Sequence, residues 1–253
     1  MRREERFDVG ELARVDVDVP TGSVQARTGT AGVIEVVVDA GSAEQFEIGA
    51  VGDTVTVRAP TGWFARGGKA NVSLVVPVRT DLAINVATAD VNLRGALGTV
   101  RARTASSDIA VEQAGRVEAH SASGDVRVRD AGEAHASSAS GDIRIGAVAG
   151  TLAASSASGD VSAEQVGGRV EISTTSGDIR LRRCDGDDIA VKTVSGDITI
   201  GLPSGIRVEP DISTLSGSTI LPKGPAPASD VPRRTVRLRA RAVSGDVRIE
   251  RVS

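Results

Sequence analysis

The sequence predicts an all-β solenoid with coils of about 18 residues, two short strands per coil, and an irregular β cap at the N-terminal end. Three observations carry this. The tetrad Ser-Gly-Asp-(Ile/Val) stands at Ser123–Val126, Ser140–Ile143, Ser158–Val161, Ser176–Ile179, Ser195–Ile198 and Ser244–Val247, with worn copies at Thr88–Val91, Ser106–Ile109 and Ser216–Thr219. From Asp90 to Asp197 the aspartates step by 18, 17, 17, 18, 18 and 19 residues. Strict apolar/polar alternation follows each tetrad, as in Val126-Arg127-Val128-Arg129 and Ile179-Arg180-Leu181-Arg182, which is the period of a half-buried strand. Finally, 253 residues contain three Phe, one Trp and no Tyr, so the interior must be thin and aliphatic.

The elements follow in order. Residues 1–80 carry strand patterns without the tetrad, such as Val15–Val19, Ile34–Val38, Thr54–Val57 and Val72–Val76. They read as irregular β coils or a small cap over the first edge of the solenoid. Residues 81–221 form the regular solenoid. In each repeat the strand after the Asp ends at a glycine (Gly115, Gly132, Gly150, Gly168, Gly186), and a second strand such as Val170–Thr174 leads into the next tetrad. The Pro-rich stretch 222–232 reads as a loop, and 233–253 as the last coil. One repeat cannot bury its own apolar face, whereas stacked repeats pairing at ~4.8 Å can.

Two hydroxyl columns run through the repeats. Four residues before the Asp lie Thr104, Ser121, Ser138, Ser156, Thr174 and Thr193. Two residues before it lie Ser106, Ser123, Ser140, Ser158, Ser176, Ser195, Ser216 and Ser244. Alternation places both columns inward or along the turn, where a ladder of hydroxyls satisfies itself. The tetrad glycine is expected to serve a turn with positive φ.

The formal net charge of −3, with acids and bases interleaved, argues against a nucleic-acid binder. No run of 18 apolar residues exists, so no membrane-spanning helix is expected. Cys184 is the single cysteine and can form no intrachain disulfide. The opening MRREERFDVG has basic residues without an apolar stretch, unlike a secretory leader, and the expected location is cytoplasmic, peripheral to a membrane if membrane partners are engaged.

At Val75-Val76-Pro77, Leu82-Ala83-Ile84-Asn85-Val86 and the run of Ser-Gly-Asp coils, roughly residues 72–250, the chain resembles the bacterial β-strand-repeat, adhesin-like proteins of the toast-rack family. The resemblance implies a right-handed β-helix-like solenoid. It also implies association with the cell envelope or envelope-stress systems, alongside membrane partners. The family is not known for catalytic residues, and none are carried over.

The candidate site residues are surface features. Asp108, Asp125, Asp142, Asp160, Asp178 and Asp197 form a column whose carboxylates either accept turn N–H groups or line a ladder of divalent cations. Arg127, Arg144, Arg180 and Arg248 lie at equivalent outward positions, interrupted by Ala110, Ser162 and Thr199. They read as a solvated face or a partner-binding, polyanion-binding strip. Trp63-Phe64 sits between glycines, either as a plug of the cap or as an exposed partner anchor. His120 and His135 face outward, too far apart to share a metal. No acid, base and positioning group come together, so no enzyme activity and no cofactor are expected. The expected role is a non-catalytic structural or interaction module that binds protein partners or self-associates through its coil ends. Adhesion to glycans or surfaces is the alternative.

Overall fold

The computed structural model describes residues 1–63, 68–221 and 235–252. Among them lie 22 β-strands and one turn of 3-10 helix, Ala43–Gln45. Phe64 and the Pro-rich stretch 222–232 lie outside the described residues. The chain forms two compact units, Met1–Ala131 and Gly132–Ser253.

The first unit holds β1 (Arg2–Asp8), β2 (Arg14–Asp18), β3 (Thr21–Thr28), β4 (Val33–Ala40), β5 (Glu47–Val51), β6 (Thr54–Arg58), β7 (Ala70–Val76), β8 (Asp81–Asn85), β9 (Thr88–Thr104) and β10 (Ile109–Ser121). Two ladders form. One runs β1, β4, β7, β3, β9, β10, antiparallel for the first two pairings and parallel thereafter. The other begins with the β5–β6 hairpin, continues in parallel through β2 and β8, and ends on the C-terminal halves of β9 and β10. The early strands β2 and β3 are therefore sandwiched between later ones: β2 lies between β6 and β8, and β3 between β7 and β9. Beyond them, β4, β1 and β5 turn the ladders antiparallel. The outermost strand β1 (RREERFD) is studded with charge, which discourages further pairing.

The second unit contains residues 134–138 of β11 (Val126–Ser138), then β12 (Ile143–Val148), β13 (Leu152–Ser156), β14 (Val161–Val166), β15 (Val170–Ser176), β16 (Ile179–Cys184), β17 (Asp188–Ser195), β18 (Ile198–Pro203), β19 (Arg207–Ser216), β20 (Thr219–Ile220), β21 (Thr235–Ser244) and β22 (Val247–Val252). Odd strands pair in parallel with odd, even with even. Each coil thus adds one strand to each ladder, as the repeat predicts. Ile143, Val161, Ile179, Ile198 and Val247 stack in one column, each no more than 1% exposed. Burying each such aliphatic contributes about 1.5–3 kcal/mol.

The order of coils departs from the expectation. β21 pairs with β17 on one side and β19 on the other, and β22 lies between β18 and β20. The coil that closes the sequence is therefore next to last in space, and β19–β20 is outermost. The strand Val247–Arg251, in the coil expected to be last, pairs with β18 along its length and with β20 at Val247 and Arg248. The actual edge, β19, carries Arg207, Glu209, Pro210 and Asp211 on exposed positions. Charge and a missing N–H there blunt further strand addition.

The hydroxyl columns divide. Thr104, Ser121, Ser138, Ser156, Thr174 and Thr193 are buried, whereas Ser106, Ser123, Ser140, Ser158, Ser176, Ser195, Ser216 and Ser244 are exposed. The chain bends between the two columns, so strand parity does not carry across. The buried hydroxyls bond the backbone of the turns. Ser121 Oγ accepts the Gly124 N–H at 2.7 Å and Ser138 Oγ the Gly141 N–H at 2.8 Å. Ser156 Oγ and Thr174 Oγ1 donate to the Gly141 and Gly159 carbonyls at 3.3 and 3.4 Å. The backbone of the sharp turn offers closer unpaired groups than the neighbouring hydroxyl does.

Glycine at the tetrad is also required for a second reason. Gly245 does have φ +136, but Gly124 does not adopt positive φ. A Cβ on either would drive into a carbonyl of the adjacent coil, of Gly196 or Ser107 respectively. Close stacking, more than dihedral freedom, excludes a side chain.

Candidate functional site

The aspartate column is built from the turn upward. In the first unit the Asp125 N–H donates to Asp108 Oδ1 at 2.9 Å. In the second unit Asp160 donates to Asp142 at 2.9 Å, and Asp178, Asp197, Asp246 and Ser218 donate in turn to Asp160, Asp178, Asp197 and Asp246, each at 2.8 Å. Within each unit the accepting carboxylate thus receives the backbone N–H of the next coil, and in the second unit the bonds trace the spatial order of its coils. The ladder ends on Ser218, where the tetrad lacks its Asp. No described coil stacks beyond it, so no N–H there calls for a carboxylate.

The arginine stripe borders this column. Arg127 bridges Asp108 Oδ2 at 2.8 Å and Asp125 Oδ2 at 2.6 Å, and Arg144 pairs with Asp142 at 2.6 Å. Arg180 and Arg248 line a shallow depression with Asp178, Asp197 and Asp246. Guanidinium groups there offset the repulsion between stacked carboxylates. Among the described residues, no three His, Cys, Asp or Glu side chains are grouped to hold a metal ion. His120 is exposed in the first unit and His135 is half-buried in the second.

Of the two readings of Trp63, burial selects the plug. It is 7% exposed and meets Phe46 edge-on, ring centroids 5.2 Å apart. Cys184 is buried too. Desolvation, and secondarily the charge of Asp185, push its thiol up to about 12, so it is neutral at physiological pH and unsuited to nucleophilic chemistry.

A second surface, not singled out from the sequence, lies on the outward side of β15, β17, β21 and β19. Register sets its residues in rows. Glu171, Ala190, Arg239 and Asp211 form one; Ser173, Lys192, Arg241 and Ser213 the next. The small Ala190 leaves a hollow walled by Arg169, Lys192, Arg239 and Arg241, with Glu171 the one acid at its rim. Arg239 pairs with Asp188 at 3.0 Å and Arg241 with Asp211 at 3.6 Å. Lys192 has no ion pair among the described residues. The next row outward holds Thr175, Val194, Val243 and Leu215, all exposed. The alternation Arg237-Leu238-Arg239-Ala240-Arg241 was the available sequence signal. It falls beside no tetrad column, so repeat counting passes over it.

No helix among the described residues is long and apolar enough to cross a membrane. A family model described as Toastrack DUF4097 matches residues 13–250. No curated protein matches the chain. Similar solved structures include a proposed lipid-binding protein from Parabacteroides distasonis, 11% identical, covering 100% of this chain and 97% of that one with a TM-score of 0.44. A proposed adhesin from Bacteroides fragilis is 12% identical, with 100% and 97% covered and a TM-score of 0.38. A proposed cell adhesion protein from Clostridium sporogenes is 8% identical, with 100% of both chains covered and a TM-score of 0.30.

Proposed function

The chain belongs to the Toastrack DUF4097 family, and from that premise we propose that it is a non-catalytic, envelope-associated scaffold that engages protein partners through its outer faces or assembles through its coil ends. One observation carries this reading. The polar side chain that recurs most regularly, the tetrad aspartate, is committed to holding coils together, as are the buried hydroxyls behind it. What varies from coil to coil is the outward surface. Such a molecule presents residues at fixed spacings of ~4.8 Å across strands, which suits recognition. We place it at the cytoplasmic side, peripheral to the membrane.

The test joins affinity capture from native soluble and membrane fractions with light scattering over a hundredfold range of concentration. A specific protein partner, or a mass that rises with concentration, is expected. A constant monomer with no protein partner would refute the scaffold reading. Retention on a glycan array in that case would transfer the role to adhesion.

A further inference from the structure

Two columns on the outward face of the second unit change character in the same coils. Four residues before the serine-glycine turn's end, the sequence of outward residues along one row is Ser155, Ser173, then Lys192 and Arg241. One step closer to the turn it is Ala157, Thr175, then Val194, Val243 and Leu215. Small residues give way to two adjacent cations in one row, before Ser213 on β19, and to aliphatics in the next. Val194, Val243 and Leu215 are 49%, 47% and 84% exposed, and each lies between paired residues of β17, β21 and β19: Thr193, Ala242 and Thr214 on one side, Ser195, Ser244 and Ser216 on the other.

We propose that this corner docks on an anionic lipid surface, Lys192, Arg239 and Arg241 meeting headgroup phosphates while Val194, Val243 and Leu215 enter the apolar fringe. The argument is geometric and electrostatic. Two residues along a strand span roughly 7 Å, so the cationic and aliphatic rows are separated by about the depth over which interfacial segments exchange headgroups for acyl chains. Long cationic stems can reach back to phosphates while the aliphatics insert. The Arg241–Asp211 pair is exposed and contributes little, so phosphate can replace it, whereas the Arg239 partner Asp188 is half-buried and also faces Arg169. Glu171 and Asp211 share the Arg239 row and oppose binding there, but that row is one step farther from the corner than Lys192 and Arg241, which carry most of the attraction. Asp197 and Asp246, on the turn itself, each accept a ladder N–H, and the outermost coil brings Ser218 where an acid would otherwise stand. A protein partner is the weaker match, because among the described residues the row carries aliphatics and no aromatic anchor. This inference rests on the membrane-peripheral placement and deepens it, and it is separable from the scaffold's protein partners, since vesicles contain no protein.

The experiment is co-sedimentation of the full chain with vesicles of phosphatidylcholine alone or mixed with phosphatidylglycerol. Binding to the mixed vesicles only, weakening with salt, is expected. Lys192→Gln and Arg241→Gln should each weaken it about fivefold. Leu215→Ser with Val243→Ser should weaken it about tenfold, and Arg27→Gln, in the other unit, should leave it unchanged. All these positions are exposed, and melting curves matching the parent confirm that the fold is retained. Failure to bind the mixed vesicles overturns the proposal. So does a loss confined to the charge variants with the aliphatic double variant binding like the parent, which would mark a site for soluble polyanions instead.

Discussion

Asp160 offers the cleanest probe of the ladder, because Ser162 stands where Arg127 and Arg144 stand in other coils and no arginine of its own coil complicates the comparison. Its Oδ1 accepts the Asp178 N–H at 2.8 Å, and its own N–H donates to Asp142 at 2.9 Å. Replacing it by Asn keeps an acceptor and removes the charge; replacing it by Ala removes both. At ~4.8 Å each neighbouring carboxylate repels by about 0.9 kcal/mol in water. About half of that survives at physiological ionic strength, so neutralising one member relieves about 0.9 kcal/mol over two neighbours. Exchanging a charge-assisted bond for a neutral one forfeits a similar amount. Asp160→Asn should therefore melt within a degree or so of the parent, about where the two terms cancel. Asp160→Ala also leaves the Asp178 N–H without its partner. It should be about 1 kcal/mol less stable than the Asn variant, which is ~2–4 °C for a chain of this length. Thermal melts in low and high salt measure both terms, and added salt should raise the parent more than the Asn variant. Coincident melts for Asn and Ala would refute the role of the carboxylate as the acceptor that joins coils.

Further outcomes follow from the same geometry. Ser138→Ala orphans the buried Gly141 N–H and should cost about 1–2 kcal/mol by urea denaturation, while Ser140→Ala, exposed two residues on, stays within about 0.5. Gly245→Ala combines a strained dihedral with a clash against the Gly196 carbonyl and should cost about 3 kcal/mol in the same assay. Cys184 should resist a thiol reagent until the protein unfolds. Because its folded pKa lies above the unfolded one, the unfolded chain loses its proton first, and stability should fall between about pH 9 and about 12 relative to Cys184→Ala.

The coil and its register were legible because one residue type repeats at one place in every turn. Asp-to-Asp spacing defines the period, and alternation from Val126 or Ile179 onward identifies the buried face. The inward Thr104–Thr193 column followed from the same counting. The outward turn of Ser123 and its equivalents did not, since parity holds only while the backbone stays extended and the chain bends between the two columns. The spatial order of coils was hidden for a different reason. The tetrad repeats specify a stack but not its order, and nothing local in Val247–Arg251 reveals that another coil will lie beyond it. The cationic and apolar rows around Lys192 and Val194 escaped because they exist only across strands, in residues separated by some 50 positions along the chain. The plug role of Trp63 was decided by Phe46, far away in sequence and undistinguished by pattern.

One difference among the tetrads then acquires a purpose. As the chain leaves the ribosome, Arg207–Ile220 emerges before Thr235–Val252, when β17 and β18 still present the free edge that β21 and β22 finally occupy. Both newcomers offer a turn N–H to the same acceptor, Asp197. If the earlier arrival kept the place, the later coil would bring its Asp246 N–H to Ser218 and find no carboxylate. In the observed arrangement Asp197 serves Asp246 and Asp246 serves Ser218, so every donor is matched. A single Asp-to-Ser exchange thus works as an addressing mark, favouring the intercalated arrangement by roughly the worth of one charge-assisted bond. It tells the growing stack which coil is to be its lid.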